Sequence, residues 1–402
     1  MLFTPRRITL AYLIRAVPLV VCCVALAACA STAGSPSATA TTSGSPSPTA
    51  TATLVSAATA TTATHAPTAT TATSPSLLQL TVYVGSAGGE FFGVNAQTGA
   101  QRWKTSVTGS VNKPVTNNGI AYVTTQSGLI YAINAGHVIW QAQGDAASSG
   151  VTGRPALLNG MLYGATENGV VFALDASTGK SRWQYPTGSA INASVNVQSD
   201  GSLYVGATDG YLYALNASTG ALRWRTQLVA IEFTSPAVAN GVVYCGADDG
   251  NLYALDASNG SIKWKFQSGG QIFGRPAIDN GAVYFGSNDH YLYAVSVSAG
   301  HQLWRFQAGD SMTGTPATSN GIVYVTASDS TLYALRESSG AKIWSFHVNG
   351  GFGLGYGWPV ITQGRLFIGA GDGALYALSA SSGSKIWSFA AGDALSSPTI
   401  GQ

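Results

Sequence analysis

Between Thr234 and Gln267 the chain reads TSPAVANGVVYCGADDGNLYALDASNGSIKWKFQ, short runs of apolar and alternating residues cut by Asn240-Gly241, Asp249-Gly250 and Asn259-Gly260. A period of two over a few residues marks a β-strand, and Asn-Gly or Asp-Gly accepts the positive φ that closes a tight antiparallel turn. The stretch therefore predicts four strands in a meander. In the last of them Ile262, Trp264 and Phe266 are expected on one face and Lys263 and Lys265 on the other. Charges so placed suit an outer edge strand, where they discourage edge-to-edge pairing.

The same pattern returns as TDGYLYALNASTGALRW (Thr208 to Trp224), DDGNLYALDASNGSIKW (Asp248 to Trp264) and GDGALYALSASSGSKIW (Gly371 to Trp387). Its tryptophan recurs at Trp103, Trp140, Trp183, Trp224, Trp264, Trp304, Trp344 and Trp387, at intervals of 37 to 43 residues. Self-similarity at such a period means repeat architecture, and four meandering strands per unit make a propeller blade. The fold expected is all-β, an eight-bladed β-propeller of four-stranded antiparallel blades, with each tryptophan packed between blades. The first unit begins in its second strand, around Leu80 to Gly85. The chain ends on SSPTI (Ser396 to Ile400), which matches a first strand. The C-terminal strand is therefore expected to complete blade one.

Composition agrees with many short strands and tight turns: 46% of the 402 residues are hydrophobic, 9% are charged and 49 are Gly. The N-terminus is different in kind. A cationic start and an apolar run from Ala16 to Ala28 read as a signal peptide over 1–28, too short for a spanning helix. Leu26-Ala27-Ala28-Cys29 resembles a bacterial lipobox, which makes Cys29 the expected lipidated residue. From there to residue 76 the chain is almost wholly Ala, Ser, Thr, Pro and Gly, too poor in apolar surface to fold, and reads as a disordered tether. The propeller is placed at 77–402. Setting aside Arg6, Arg7 and Arg15 leaves the chain close to neutral, and no Lys/Arg run exists, which argues against nucleic acid. These readings place the protein in the cell envelope, extracytoplasmic and held to the membrane by lipid. The propeller keeps one cysteine, Cys245, so it has no internal disulfide.

The recurring LYALDAxTGxxxW, seen as LYALNASTGALRW, resembles the PQQ-like, tryptophan-docking propeller repeat. No Trp-Asp dipeptide is present, which sets WD40 repeats aside. Two branches of that family are relevant. Quinoprotein dehydrogenases hold pyrroloquinoline quinone and calcium, with a disulfide between adjacent cysteines that the lone Cys245 cannot form. BamB-like lipoproteins are eight-bladed, bind proteins and use no cofactor. The resemblance implies the second branch: a monomeric, non-catalytic binding or scaffold module for a protein or surface polymer, without cofactor or metal. The alternative it leaves is a quinone-dependent oxidoreductase or a quinone-binding protein. The long tether departs from a typical BamB.

Candidate chemistry is sparse. Cys245 takes an apolar position of the repeat and reads as a buried small hydrophobe. Asp209, Asp249, Asp289, Asp329 and Asp372 fall in second-to-third turns, where an Asp bonds its own backbone. The five His are scattered, and no catalytic residue is assigned. The residue before Pro, or its equivalent, in each first strand is Ser397, Lys113, Arg154, Ser194, Ser235, Arg275, Thr315 and Trp358 around the ring. First strands line a propeller's channel, so Lys113, Arg154, Arg275 and Trp358 are the candidate ligand-binding residues at its mouth, for an anionic or carboxylate-bearing ligand. The two longest connectors, Gln141 to Gly153 and Ser345 to Gly357, are expected on the same face. Insertions gathered on one face of a repeat protein mark a binding face.

Overall fold

A computed structural model describes residues 75–402 apart from 146, 148, 230, 232, 233 and 353–356. The expected signal peptide, lipidated Cys29 and nearly all of the tether lie outside the described residues.

The described chain forms eight four-stranded antiparallel sheets, each a blade. Blade five shows the unit: Ala237–Ala239, Val242–Gly246, Asn251–Asp256 and Ile262–Gln267 run from the channel to the rim. In blade one the order is Gln101–Ser106, Glu90–Asn95, Thr81–Gly85 and then Thr399–Gly401 from the C-terminus. Val82 pairs with Ile400 and Tyr83 with Thr399. The Ser396 amide donates to the Gly85 carbonyl at 2.8 Å, and the Ser396 hydroxyl accepts from the Gly85 amide at 3.2 Å. The ring is thus closed by the last strand, as the repeat register requires.

The three turns of a blade differ. Asn240 (φ 49°) and Gly241 (φ 73°) are both left-handed, which makes the first turn a two-residue hairpin. In the second and third turns of this blade only Gly250 and Gly260 are, and longer loops are tied by side chains. Behind the third turn the ladder slips: Ala254 pairs with Trp264 but Leu255 with Ile262. Lys263 is the extra residue of that bulge, and it breaks the alternation. Ile262 consequently does not share the face of Trp264 and Phe266; it is 47% exposed.

Apolar burial is divided among eight clusters, one between each pair of neighbouring blades. Each tryptophan of the outer strand seals one such seam by reaching into the next blade. The Trp264 indole donates to the Val297 carbonyl at 3.1 Å, and Trp140, Trp183, Trp224, Trp304 and Trp344 make the equivalent bond at 2.8 to 3.0 Å. The indole also lies flat on the glycine of the next third turn; a Cβ on Gly260 would stand 2.5 Å from Trp224. The seam between blades eight and one is different. Arg365 donates to the Ala96 carbonyl at 3.0 Å and to that of Gln97 at 2.6 Å, and the buried Trp387 Nε1 has no partner.

Residues 75–80 cross that same seam. The Pro75 carbonyl accepts from Gln363 of blade eight at 2.6 Å. The Leu78 carbonyl accepts from Asn95 at 3.2 Å and from Arg102, both of blade one. Leu77 packs on the cluster the two blades share.

Candidate functional site

The collar positions Arg154 and Trp358 sit level with the far end of the second strand of the blade before. The Thr124 hydroxyl donates to the Gly153 carbonyl at 3.2 Å and that of Thr326 to the Gly357 carbonyl at 3.0 Å, one residue ahead of Arg154 and Trp358. The collar therefore lies on the face that carries the second-to-third turns.

Its eight members divide into two kinds. Ser194, Ser235, Thr315 and Ser397 are buried, and each hydroxyl accepts the backbone amide of the collar residue one blade before. The donors are Arg154 (2.9 Å), Ser194 (2.9 Å), Arg275 (3.2 Å) and Trp358 (2.9 Å) respectively. These hydroxyls stitch blades together. Lys113, Arg154, Arg275 and Trp358 have no short hydroxyl to give, and they make the other kind.

The ammonium of Lys113 stands 4.4 Å from the centre of the Trp358 ring, within cation–π range. Arg154 and Arg275 come from blades three and six, nearly opposite one another, and together with Trp358 line a cavity of about 220 Å³ on the axis. Its remaining wall is mixed, with Val115, Ala156, Leu157 and Val197 on the apolar side and Ser194, Asn196, Gln198 and Ser235 on the polar side. The ion pairs among the described residues involve none of the three collar cations. The Nε atoms of Arg154 and Arg275 are buried without a hydrogen-bond partner.

Electrostatics follow from that isolation. Burial drives the Lys113 ammonium well below its ordinary pKa, and the positive charges of Arg154 and Arg275 drive it the same way. Burial also lowers Arg154, and burial with the charge of Arg154 pushes Arg275 down to about 10. Both guanidiniums stay charged at neutral pH, so the axis of the ring carries positive charge that no carboxylate among the described residues pairs with.

The other candidates are placed less suggestively. Cys245 is fully buried between blades four and five, and burial pushes its thiol up to about 12. A thiol so placed is inert. Each turn carboxylate is committed on both oxygens. In Asp249, one accepts the Asn251 amide at 2.9 Å and the other the Tyr253 hydroxyl at 2.7 Å; Asp209, Asp289, Asp329 and Asp372 repeat this with Tyr213, Tyr293, Tyr333 and Tyr376. Among the described residues no three His, Cys, Asp or Glu come together as metal ligands. His290 lies 3.9 Å from Asp310 at the surface.

Of the two long connectors, the first is held by the buried Asp145, which accepts from the amides of Ala147 and Ser149 at 3.1 and 3.2 Å. In the second, Phe352 packs on the cluster between blades seven and eight. Sequence reasoning passed over Asn196 and Gln198. The signal was there: blade four has Val195 where the other first strands have Pro, and its first strand is only Asn196–Val197.

A family described as "Outer membrane protein assembly factor BamB" matches the chain over residues 48–195, 188–274, 270–352 and 328–402. Among curated proteins, none matches the sequence. Several solved structures share the fold. The computationally designed Ika8 protein superposes with a TM-score of 0.67 at 18% identity, over 74% of this chain and 92% of its own. BamB from Moraxella catarrhalis gives 0.61 at 21% identity, over 71% and 89%. Quinohemoprotein alcohol dehydrogenase from Comamonas testosteroni gives 0.59 at 16% identity, over 71% and 68%. At such identities the likeness is one of fold.

Proposed function

We propose, from the premise that this chain belongs to the family described as outer membrane protein assembly factor BamB, that it is a non-catalytic docking module of the cell envelope. In this reading it is exported, anchored through a lipid on Cys29, carried on the tether up to residue 76, and monomeric. It binds a protein or a surface polymer on the face that carries the channel mouth. The observation that supports this face is the set of cations: Arg154 and Arg275 line one cavity with Trp358, on which Lys113 lies, and among the described residues no ion pair reaches them. Uncompensated buried charge costs stability, and proteins keep it where a ligand supplies the missing counter-charge.

A quinone-dependent oxidoreductase, the alternative, has weaker support. The three cations would suit a polycarboxylate, but the calcium half of such a site needs free carboxylate oxygens converging on one point. The turn carboxylates here are spent on amides and tyrosines, and the propeller's single cysteine offers no disulfide.

Photo-crosslinking on intact cells tests the docking face. A crosslinker at exposed Gln126, in a second-to-third turn, is compared with one at exposed Asn159, in a first-to-second turn on the opposite face. Adducts are expected at Gln126 and should fade when Lys113, Arg154 and Arg275 are neutralised together. Equal yields at both positions would overturn the assignment. Replacing Cys29 by Ser is expected to move the protein from the membrane fraction to the medium.

A further inference from the structure

The two arginines of the collar do not lie side by side. They are carried by strands three blades apart, Val151–Leu158 and the segment before Ala277–Asp279, and reach one cavity from nearly opposite walls. Among the described residues neither takes part in an ion pair, and each buries an Nε with no acceptor. A guanidinium presents a planar fork that matches one carboxylate bidentately. Two such forks on opposite walls call for two carboxylates, one at each end of the occupant.

What lies between the forks sets the middle of that occupant. Val115, Ala156, Leu157 and Val197 offer apolar contacts that a short hydrocarbon spacer can use, set among the polar Ser194, Asn196, Gln198 and Ser235. The volume, about 220 Å³, leaves room for a molecule the size of a short diacid. Lys113, held against Trp358, adds a third cation beside the pair.

We propose that this cavity is a receptor site for a free, short aliphatic dicarboxylate, with one carboxylate on Arg154, the other on Arg275, and Lys113 as a third cation beside the pair. The site goes beyond the docking role and stands whether or not a macromolecule is captured on the same face. The groups that face Lys113 are Arg154, Arg275 and the Trp358 ring, with Ser397 of blade one between the strands that carry Lys113 and Trp358. Among the described residues only cations and neutral groups face it, so a bound carboxylate would supply it with a counter-charge.

Calorimetry on the full-length protein tests this with glutarate, succinate, butyrate and inorganic phosphate. One diacid per chain is expected, bound at least about tenfold more tightly than butyrate, because each fork adds a charge-assisted pair of bonds. Arg154→Gln and Arg275→Gln should each lose at least about tenfold in affinity for the diacid while melting no lower than the parent, since an uncompensated cation has gone. Arg154→Lys keeps the charge but not the fork and should lose the preference of diacid over monoacid, a readout that holds even if the Gln variants fold poorly. Lys113→Met should also weaken the diacid, by less than either arginine substitution, because it removes charge without removing a fork. Phosphate binding as tightly as glutarate, butyrate equalling glutarate, or no saturation up to about 10 mM would each overturn the receptor. The crosslinking contrast would then stand or fall separately, because it reads a macromolecule and not the cavity.

Discussion

Lys113 is the residue whose behaviour is most tightly constrained by its surroundings. Its pKa in the folded protein lies well below the value near 10.5 it has when unfolded. Between those two values the unfolded chain binds more protons than the folded one, so stability rises with pH there and falls as pH is lowered toward the folded pKa. Lys113→Met should therefore stabilise the protein at pH 7 by about 1 to 3 kcal/mol, and the gain should shrink as pH climbs toward 10.5. Urea unfolding at a series of pH values checks this; a gain independent of pH would mean the ammonium is not desolvated. A second residue-scale expectation concerns His290 (φ 73°) and Ser330 (φ 65°), which hold a left-handed backbone that glycine holds at the matching turns, for example Gly250. Replacing either by Gly should stabilise by about 0.5 to 1 kcal/mol, because relief of the Cβ clash is partly offset by the freer unfolded chain. Thermal melting of the two single variants and the double measures it, and the two effects should add.

At the scale of the element, the seam between blades is the unit that matters, and its tryptophans are not equivalent. Trp264→Phe removes the bond to Val297 and should cost about 1 kcal/mol more than Trp387→Phe, whose indole has no partner to lose. At the odd seam the polar role has passed to Arg365, so Arg365→Met should cost about 1 to 2 kcal/mol while leaving Trp387 fluorescence in place. The strand pattern and the first turns were legible in the sequence, because the period of two and Asn-Gly are local signals. The bulge at Lys263 was not, and for that reason Ile262 was expected beside Trp264. A bulge arises from how one strand registers against its partner, which an alternation pattern read along a single strand does not carry. The exchange of roles at Arg365 is hidden for a related cause, since Ala96 and Arg365 are far apart in the chain and meet only when the ring closes.

For the whole molecule, closure is the governing fact. The last strand supplies Val82 and Tyr83 with their ladder partners, so deleting residues 397–402 should open blade one, broaden the melting transition and lower its midpoint; an unchanged melt would refute the clasp. Blade count and closure could be read from the sequence by counting repeats. The collar could be read only in part: the positions of Lys113, Arg154, Arg275 and Trp358 follow from the repeat register, but the approach of Arg154 and Arg275 to one cavity follows from which blades face one another across the axis. Closure also governs what happens at the N-terminal side. Residues 75–80 are fastened to Gln363 on blade eight and to Asn95 and Arg102 on blade one, at the seam the C-terminal strand completes. A pull delivered at Pro75 is thus shared by two blades and must shear several hydrogen bonds and the packing of Leu77 together, instead of peeling Thr81–Gly85 away one pair at a time. A protein held on a leash in a moving envelope would be gripped where its ring is doubly fastened.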